Sequence, residues 1–454
     1  MRRSKSARAR STKFRPRGEG LEARELLNGS WPTYISKAEL RALLNQPKGF
    51  PAVRPNTPVL PYGTPSKSAT YIDPSARIAN GYAVIVSQLS FIGPYTALDA
   101  QGGIIKIGGG TAILDNASIT ANPSRSKARP VPEVLIGNGV QVGYGATILG
   151  PATIGGYGPG AKAVSIGPGA IIDGATIEPG AFVSALARVG PGVTVPDGMK
   201  ILPGANVTTT AEATDPALGK AAPVTAADLA ELSQTLPANL ELAAGYANLY
   251  QGQSRTGPSL GVPANISGVF NGDLSQVTGS SPQPGSASTN LLPPGTAPKY
   301  PSPHRGLVQG RFADFPARVT GGSLFNQRAR NVVRSVGHGN SFRADLGQPI
   351  AFGSINRTGA GVTINSPEGG KLAIGQRFTA GPGAVILGGP ANTTTTLGDD
   401  VSVAAGAVVS GTSLGGGSTV GELAYLLNST FPDGTHIPSR AIYINNILVG
   451  YVER

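Results

Sequence analysis

Three histidines, His304, His338 and His436, and no cysteine are the entire supply of imidazole and thiol in 454 residues. Without thiols the chain makes no disulfide, no thiolate metal centre and no cysteine-based covalent intermediate. The histidines are far apart in sequence and read as solvated surface side chains; copies of one of them could still meet on a symmetry axis. One compact cationic motif, Arg125-Ser-Lys-Ala-Arg129, could hold an anion such as bicarbonate or an acidic glycan through Arg125, Lys127 and Arg129. The competing reading is a plain solvated loop.

The elements that would position such residues follow from composition and period. Gly (65) and Pro (39) are abundant and charged residues make up only 14%, which suits a chain that turns often around a thin aliphatic core. Collagen is excluded, because Gly does not recur at every third position. No run of 18 apolar residues occurs, so no membrane-spanning segment is expected. The net charge of +12 is uneven: Arg2, Arg3, Lys5, Arg8, Arg10, Lys13, Arg15 and Arg17 account for eight of those charges. Residues 1–30 therefore read as a basic disordered arm, with polyanion or nucleic-acid contact as one of its possible uses.

From Tyr71 onward the aliphatic residues recur every six positions. Ile72, Ile78 and Val84 are followed by Ile92, Leu98 and Ile104, then by Ile107, Ile113 and Ile119. Ile136, Val142, Ile148 and Ile154 continue the series, as do Ile177, Val183, Val189, Val195, Ile201 and Val207. Gly often follows the aliphatic, as in Ile107-Gly108 and Ile136-Gly137, and is expected to take backbone angles that bulkier residues resist. A period of six is neither helical nor strand-like; it marks a hexapeptide β-helix, with three short strands per triangular coil and the aliphatic in the lumen. Known hexapeptide β-helices wind left-handed.

The fold class is thus mainly β, a left-handed parallel β-helix in two tandem units, each followed by a short α-helix. Residues 31–69 are a short helix and Pro-rich linker, and 70–252 are the first unit. In its C-terminal helix Thr225 caps, Leu229, Leu232 and Leu236 form the apolar stripe, and Pro237 breaks or kinks the helix. Residues 253–303 are a Gly/Pro/Ser-rich linker. Residues 304–454 are a second, looser unit, with Ile374, Ala380 and Ile386, then Leu397, Val403 and Val409, then Leu414 and Val420. A helix-like stretch, Gly421–Asn428, and an apolar segment, Ala441–Tyr451, close the chain.

The first unit resembles the γ-class carbonic anhydrases. Tyr71-Ile-Asp-Pro-Ser-Ala-Arg-Ile78 is similar to that family's opening coil, Leu114-Asp115 stands at its Gln-Asp, and Asn239-Leu-Glu-Leu-Ala-Ala-Gly-Tyr246 is similar to its C-terminal helix. The second unit resembles the same family through Phe342-Arg-Ala-Asp-Leu-Gly-Gln-Pro-Ile350. The resemblance implies homotrimers and a zinc ion held by three His across a subunit boundary. It places the three ligand positions at Thr120, Tyr144 and Leu149 in the first unit, and at Asn365, Pro382 and Leu387 in the second. None offers imidazole, thiolate or carboxylate, the groups that hold zinc.

What persists of the family pattern is an asparagine of the terminal element, as Asn239 and Asn445, and the Arg343–Asp345 motif, implied to lie at an interface. The expectation is therefore a non-catalytic γ-carbonic-anhydrase-like protein with a structural or assembly role and no cofactor. The alternative is a carbonic anhydrase with an unusual metal site, and in that case alone zinc is expected. Acyltransferase chemistry lacks a base, since the first unit has no His. Phe14–Leu27 resembles an N-terminal element of bacterial surface and exported proteins, and with the absence of Cys it points toward export or the cell surface.

Overall fold

The structure, a computed structural model, describes residues 70–249 and 317–453, apart from 74, 80–82, 88, 123–132, 159, 322, 326–333, 346–349, 368–369 and 390–392. The basic arm, the helix and linker over 31–69, the linker over 253–303, His304 and the loop carrying Arg125, Lys127 and Arg129 lie outside the described residues.

Residues of alternating burial in very short strands build two parallel β-helices. In the first unit the strands fall into three sheets of eight, seven and six strands. Successive coils pair in register, so Ile119, Ile148, Ile172 and Val189 stack on one line. These side chains are fully buried, as are Ile136, Ile154 and Ile177 on another face. Medium aliphatics suit the lumen because each fills the space between its equivalents above and below at strand spacing. The period breaks once: Ile105 and Ile107 point inward and Ile104 is only half-buried, so the expected placement of Ile104 is corrected by one residue. The second unit repeats the design with sheets of eight, six and five strands. Its lumen includes Phe342, Phe352 and Phe378 beside the aliphatics, and the rings of Phe342 and Phe352 pack tilted at 52° with centroids 5.6 Å apart. No helix among the described residues is long and apolar enough to cross a membrane.

Of the glycines that follow the aliphatics, Gly155 takes the expected left-handed φ, 70°, whereas Gly108, Gly137 and Gly167 serve close approach instead. Gly137 and Gly167 are not in the left-handed region, but a Cβ on Gly137 would stand 2.4 Å from the Gly156 carbonyl oxygen of the next coil. Gly137→Ala is therefore expected to cost roughly 1–3 kcal/mol by forcing two backbones apart. Gly158, with nothing within 4 Å of the same position, is the contrast; Gly158→Ala should stay within about 0.5 kcal/mol in the same denaturant titration.

The two units end differently. Thr209 and Glu212 form a capping box on a short helix, α1 (Thr210–Thr214), which touches the last strand of all three faces of the first unit. A 24-residue helix, α2 (Ala226–Leu249), follows. Its start is as expected, with Asp228 and Thr225 capping one another. Pro237 does not break it: Leu232, Leu236, Leu240 and Leu242 are buried against both units, and that burial outweighs one missing hydrogen bond. Leu229, expected in the stripe, is 53% exposed. In the second unit the helix expected at Gly421–Asn428 is instead the strand Tyr425–Leu427, because Leu426 continues the lumen line begun by Ile386 and Val409. The unit closes on an antiparallel hairpin, Ala441–Ile444 with Ile447–Tyr451, and no helix follows it among the described residues.

Candidate functional site

The two units lie against each other, and their contact holds Asp73, Asp115, Arg318 and Arg343, four of the six buried charged residues among the described residues. One eight-stranded face of the second unit supplies two columns of side chains directed at the first unit. One column runs Arg318, Ser341, Thr363, Val385, Val408, Tyr425, Ile442; its neighbour runs Thr320, Arg343, Asn365, Leu387, Ser410, Leu427, Ile444. In both, charged and polar residues stand in the first coils and apolar residues predominate in the last. The first unit answers with Tyr71, Asp73, Phe91, Leu114, Asp115 and Tyr144, and Leu186 meets the apolar end.

At the polar end two ion pairs cross the seam. Arg343 donates from Nη1 to Asp115 Oδ1 at 2.6 Å and from Nε to Asp345 Oδ2 at 3.1 Å, and its guanidinium lies 5.1 Å from the centre of the Phe91 ring. Ser341 Oγ donates to the second Asp115 oxygen at 2.6 Å, and Thr320 Oγ1 donates to Asp345 at 3.1 Å. Arg318 Nε donates to Asp73 Oδ2 at 3.1 Å, an oxygen that also accepts from the Tyr71 hydroxyl at 2.9 Å. Arg318, Arg343, Asp73 and Asp115 are all buried. Burial pushes the Asp115 carboxyl above its ordinary range, while the Arg343 charge and the Ser341 hydrogen bond pull against that rise. The backbone explains why Asp115 can reach: it opens a tight corner whose next residue, Asn116, takes a left-handed φ of 59° and donates from Nδ2 to Thr363 Oγ1 at 2.9 Å.

The positions singled out for a metal divide among three places. Asn365 and Tyr144 meet across the seam, the Asn365 amide donating to the Tyr144 hydroxyl, with Leu387 next to Asn365 in register. The side-chain amide oxygen of Asn365, Oδ1, is buried with no hydrogen-bond partner. Burial raises the Tyr144 phenol above its ordinary range, so it stays protonated. Thr120 and Leu149 pair in register on a different face of the first unit, half-buried, and Pro382 sits in a corner of the second unit. Among the described residues no three His, Asp or Glu side chains gather as a metal-binding group. An amide oxygen, a protonated phenol and a leucine do not fit zinc, whose ligands are imidazole, thiolate or carboxylate.

The remaining candidates stand apart from one another. Asn239 is buried within α2, and its amide donates to the Thr235 carbonyl at 2.8 Å. Asn445 is exposed in the hairpin turn, where it and Asn446 both have positive φ, 51° and 68°. That is the primed two-residue turn that joins twisted strands. His436 is exposed, its Nδ1 2.6 Å from Thr419 Oγ1. Arg343 and Asp345 lie in the contact between the two units of one chain. Sequence reasoning overlooked Arg318, Asp73 and Ser341, although Asp73 and Arg318 stand in the opening coils of their units.

No protein-family model and no curated protein matches the chain. Among solved structures it is similar to a hexapeptide transferase family protein from Anaplasma phagocytophilum, at 21% identity and a TM-score of 0.27, over 38% of this chain and 91% of that one. The parallel ladders and the six-residue lumen period make the fold a parallel β-helix of hexapeptide repeats.

Proposed function

We propose that this chain is a non-catalytic β-helix protein of γ-carbonic-anhydrase-like descent, left-handed, with a structural or assembly role. One observation carries the reading: Tyr144 and Asn365, two of the positions where the resemblance implies zinc ligands, are bonded to each other inside the seam. The side chains there hold the two units together. Homotrimers remain part of this reading, each chain contributing one ready-made pair of units. So does export to a cell surface.

The test is metal content and CO2 hydration on the purified full chain after equilibration with zinc. The expected result is far less than one zinc per chain and no hydration above the buffer rate. One tightly held zinc per chain with hydration that disappears on chelation would overturn the reading in favour of an active carbonic anhydrase with an unusual site.

A further inference from the structure

Four of the six large apolar side chains that stand exposed among the described residues fall in one five-residue strand, Ile447–Tyr451. Ile447 is 64% exposed, Val449 55%, Tyr451 54% and Leu448 43%. Among the described residues the strand is the last of its sheet and has one edge with no strand paired to it. Such edges are usually blunted by charge, by proline or by a covering element. The first unit follows that rule: its final strand, Ala221–Pro223, ends on a proline and is touched by α1. Ile447–Tyr451 contains no charge and no proline, and its one blunting device is a bulge that passes over Val449.

We propose that this strand is a self-association surface, lying antiparallel against the same strand of a second copy of the chain about a two-fold axis at Val449. Two features of the strand select an identical partner. First, the segment is self-complementary in that register: Ile447 falls opposite Tyr451, a β-branched and aromatic pair of the kind that stabilises sheets, and Leu448 falls opposite Gly450. An identical strand also brings no charge that burial would leave unpaired. Second, the patch continues an interface already built. Ile442, Ile444 and Val452 of the same hairpin belong to the apolar cluster between the units, and Ile442 and Val452 pack against Gly204. The apolar seam thus reaches the strand paired with the exposed one, Ile444 standing opposite Ile447, and Val452 directly beyond Tyr451. A two-fold contact of this kind is isologous and closes, so it joins the homotrimers of the proposed reading in pairs, six chains in all, and builds no filaments.

The experiment uses the full chain and light scattering coupled to size exclusion over a range of concentrations. Wild type should contain an even number of chains, and Val449→Lys should halve the mass with an unchanged far-ultraviolet spectrum and melting temperature. Because the chain has no cysteine, Val449→Cys gives a clean second readout. Residues facing each other across an antiparallel pair lie within disulfide reach, so oxidation should link chains in twos. Leu229→Cys, exposed on α2, should not link. A wild type with one or three chains, a Val449→Lys protein of wild-type mass, or a Val449→Cys protein that stays unlinked would each overturn the proposal. None of these outcomes bears on zinc or CO2.

Discussion

Arg343→Met should lower the free energy of unfolding by about 3–5 kcal/mol, the usual cost of stripping one partner from a buried ion pair. The size follows from what remains. Asp115 and Asp345 are 0% and 1% exposed at their side chains, and removing the guanidinium takes a cation from each. Ser341 can still donate one hydrogen bond to Asp115, which does not offset an unpaired buried carboxylate. Arg343→Lys should recover little, since a single ammonium cannot reproduce a fork that spans Asp115 and Asp345. The matched control is Arg377→Met, because Arg377 pairs with Asp400 at side-chain exposures of 56% and 51%. That loss should be small beside the loss at Arg343, because both partners stay hydrated. Guanidinium titrations of the three proteins decide the matter, and a deficit at Arg343 no larger than at Arg377 would show that the seam is not held by charge.

The same variant has a pH signature with a defined sign. Burial already favours the protonated form of Asp115, and removing the Arg343 charge strengthens that preference. In the variant the folded state therefore binds a proton at Asp115 more readily than the unfolded chain does. A folded state that holds the extra proton gains stability as pH falls. The deficit of Arg343→Met should be largest at neutral pH and shrink on acidification toward the carboxylate range.

How much of this was legible in the sequence depends on how far apart the interacting residues lie. The lumen was readable because its geometry is local: one inward aliphatic every sixth residue is a property of each coil by itself. The slip at Ile104 shows the limit, since three aliphatics in the four positions 104–107 leave the inward register open until the next coil fixes it through Ile105 and Val134. The helix expected at Gly421–Asn428 failed for a related reason. Local propensity favours a helix in Glu422-Leu-Ala-Tyr-Leu-Leu427, but a ready edge of Val408–Ser410 binds the segment as a strand. The seam was beyond reach, because the partner of Arg343 is 228 residues away in sequence. The resemblance marked Arg343 as an interface residue, and only coordinates show its contact with Asp115 of the other unit.

The reading of the vacant ligand positions depends on register, and adjacent residues test it. Ile148 is fully buried between Ile119 and Ile172, whereas Leu149 points to the outer face beside Thr120 and is half-buried. Ile148→Ala removes most of a side chain from a lumen that cannot collapse, because each wall is fixed by backbone hydrogen bonds to the coils on either side. A loss of about 2–5 kcal/mol is expected. Leu149→Ala removes a side chain of the same volume from a surface that water already reaches, and should cost about 1 kcal/mol or less. Side chains alternate faces along a strand, so a one-residue error in register would invert the two results. It would also carry Thr120 and Leu149 into the lumen and take Tyr144 from Asn365, leaving the seam without the contact on which the non-catalytic reading rests. Thermal or denaturant unfolding of these two single variants therefore probes the assignment of function through a measurement of stability alone.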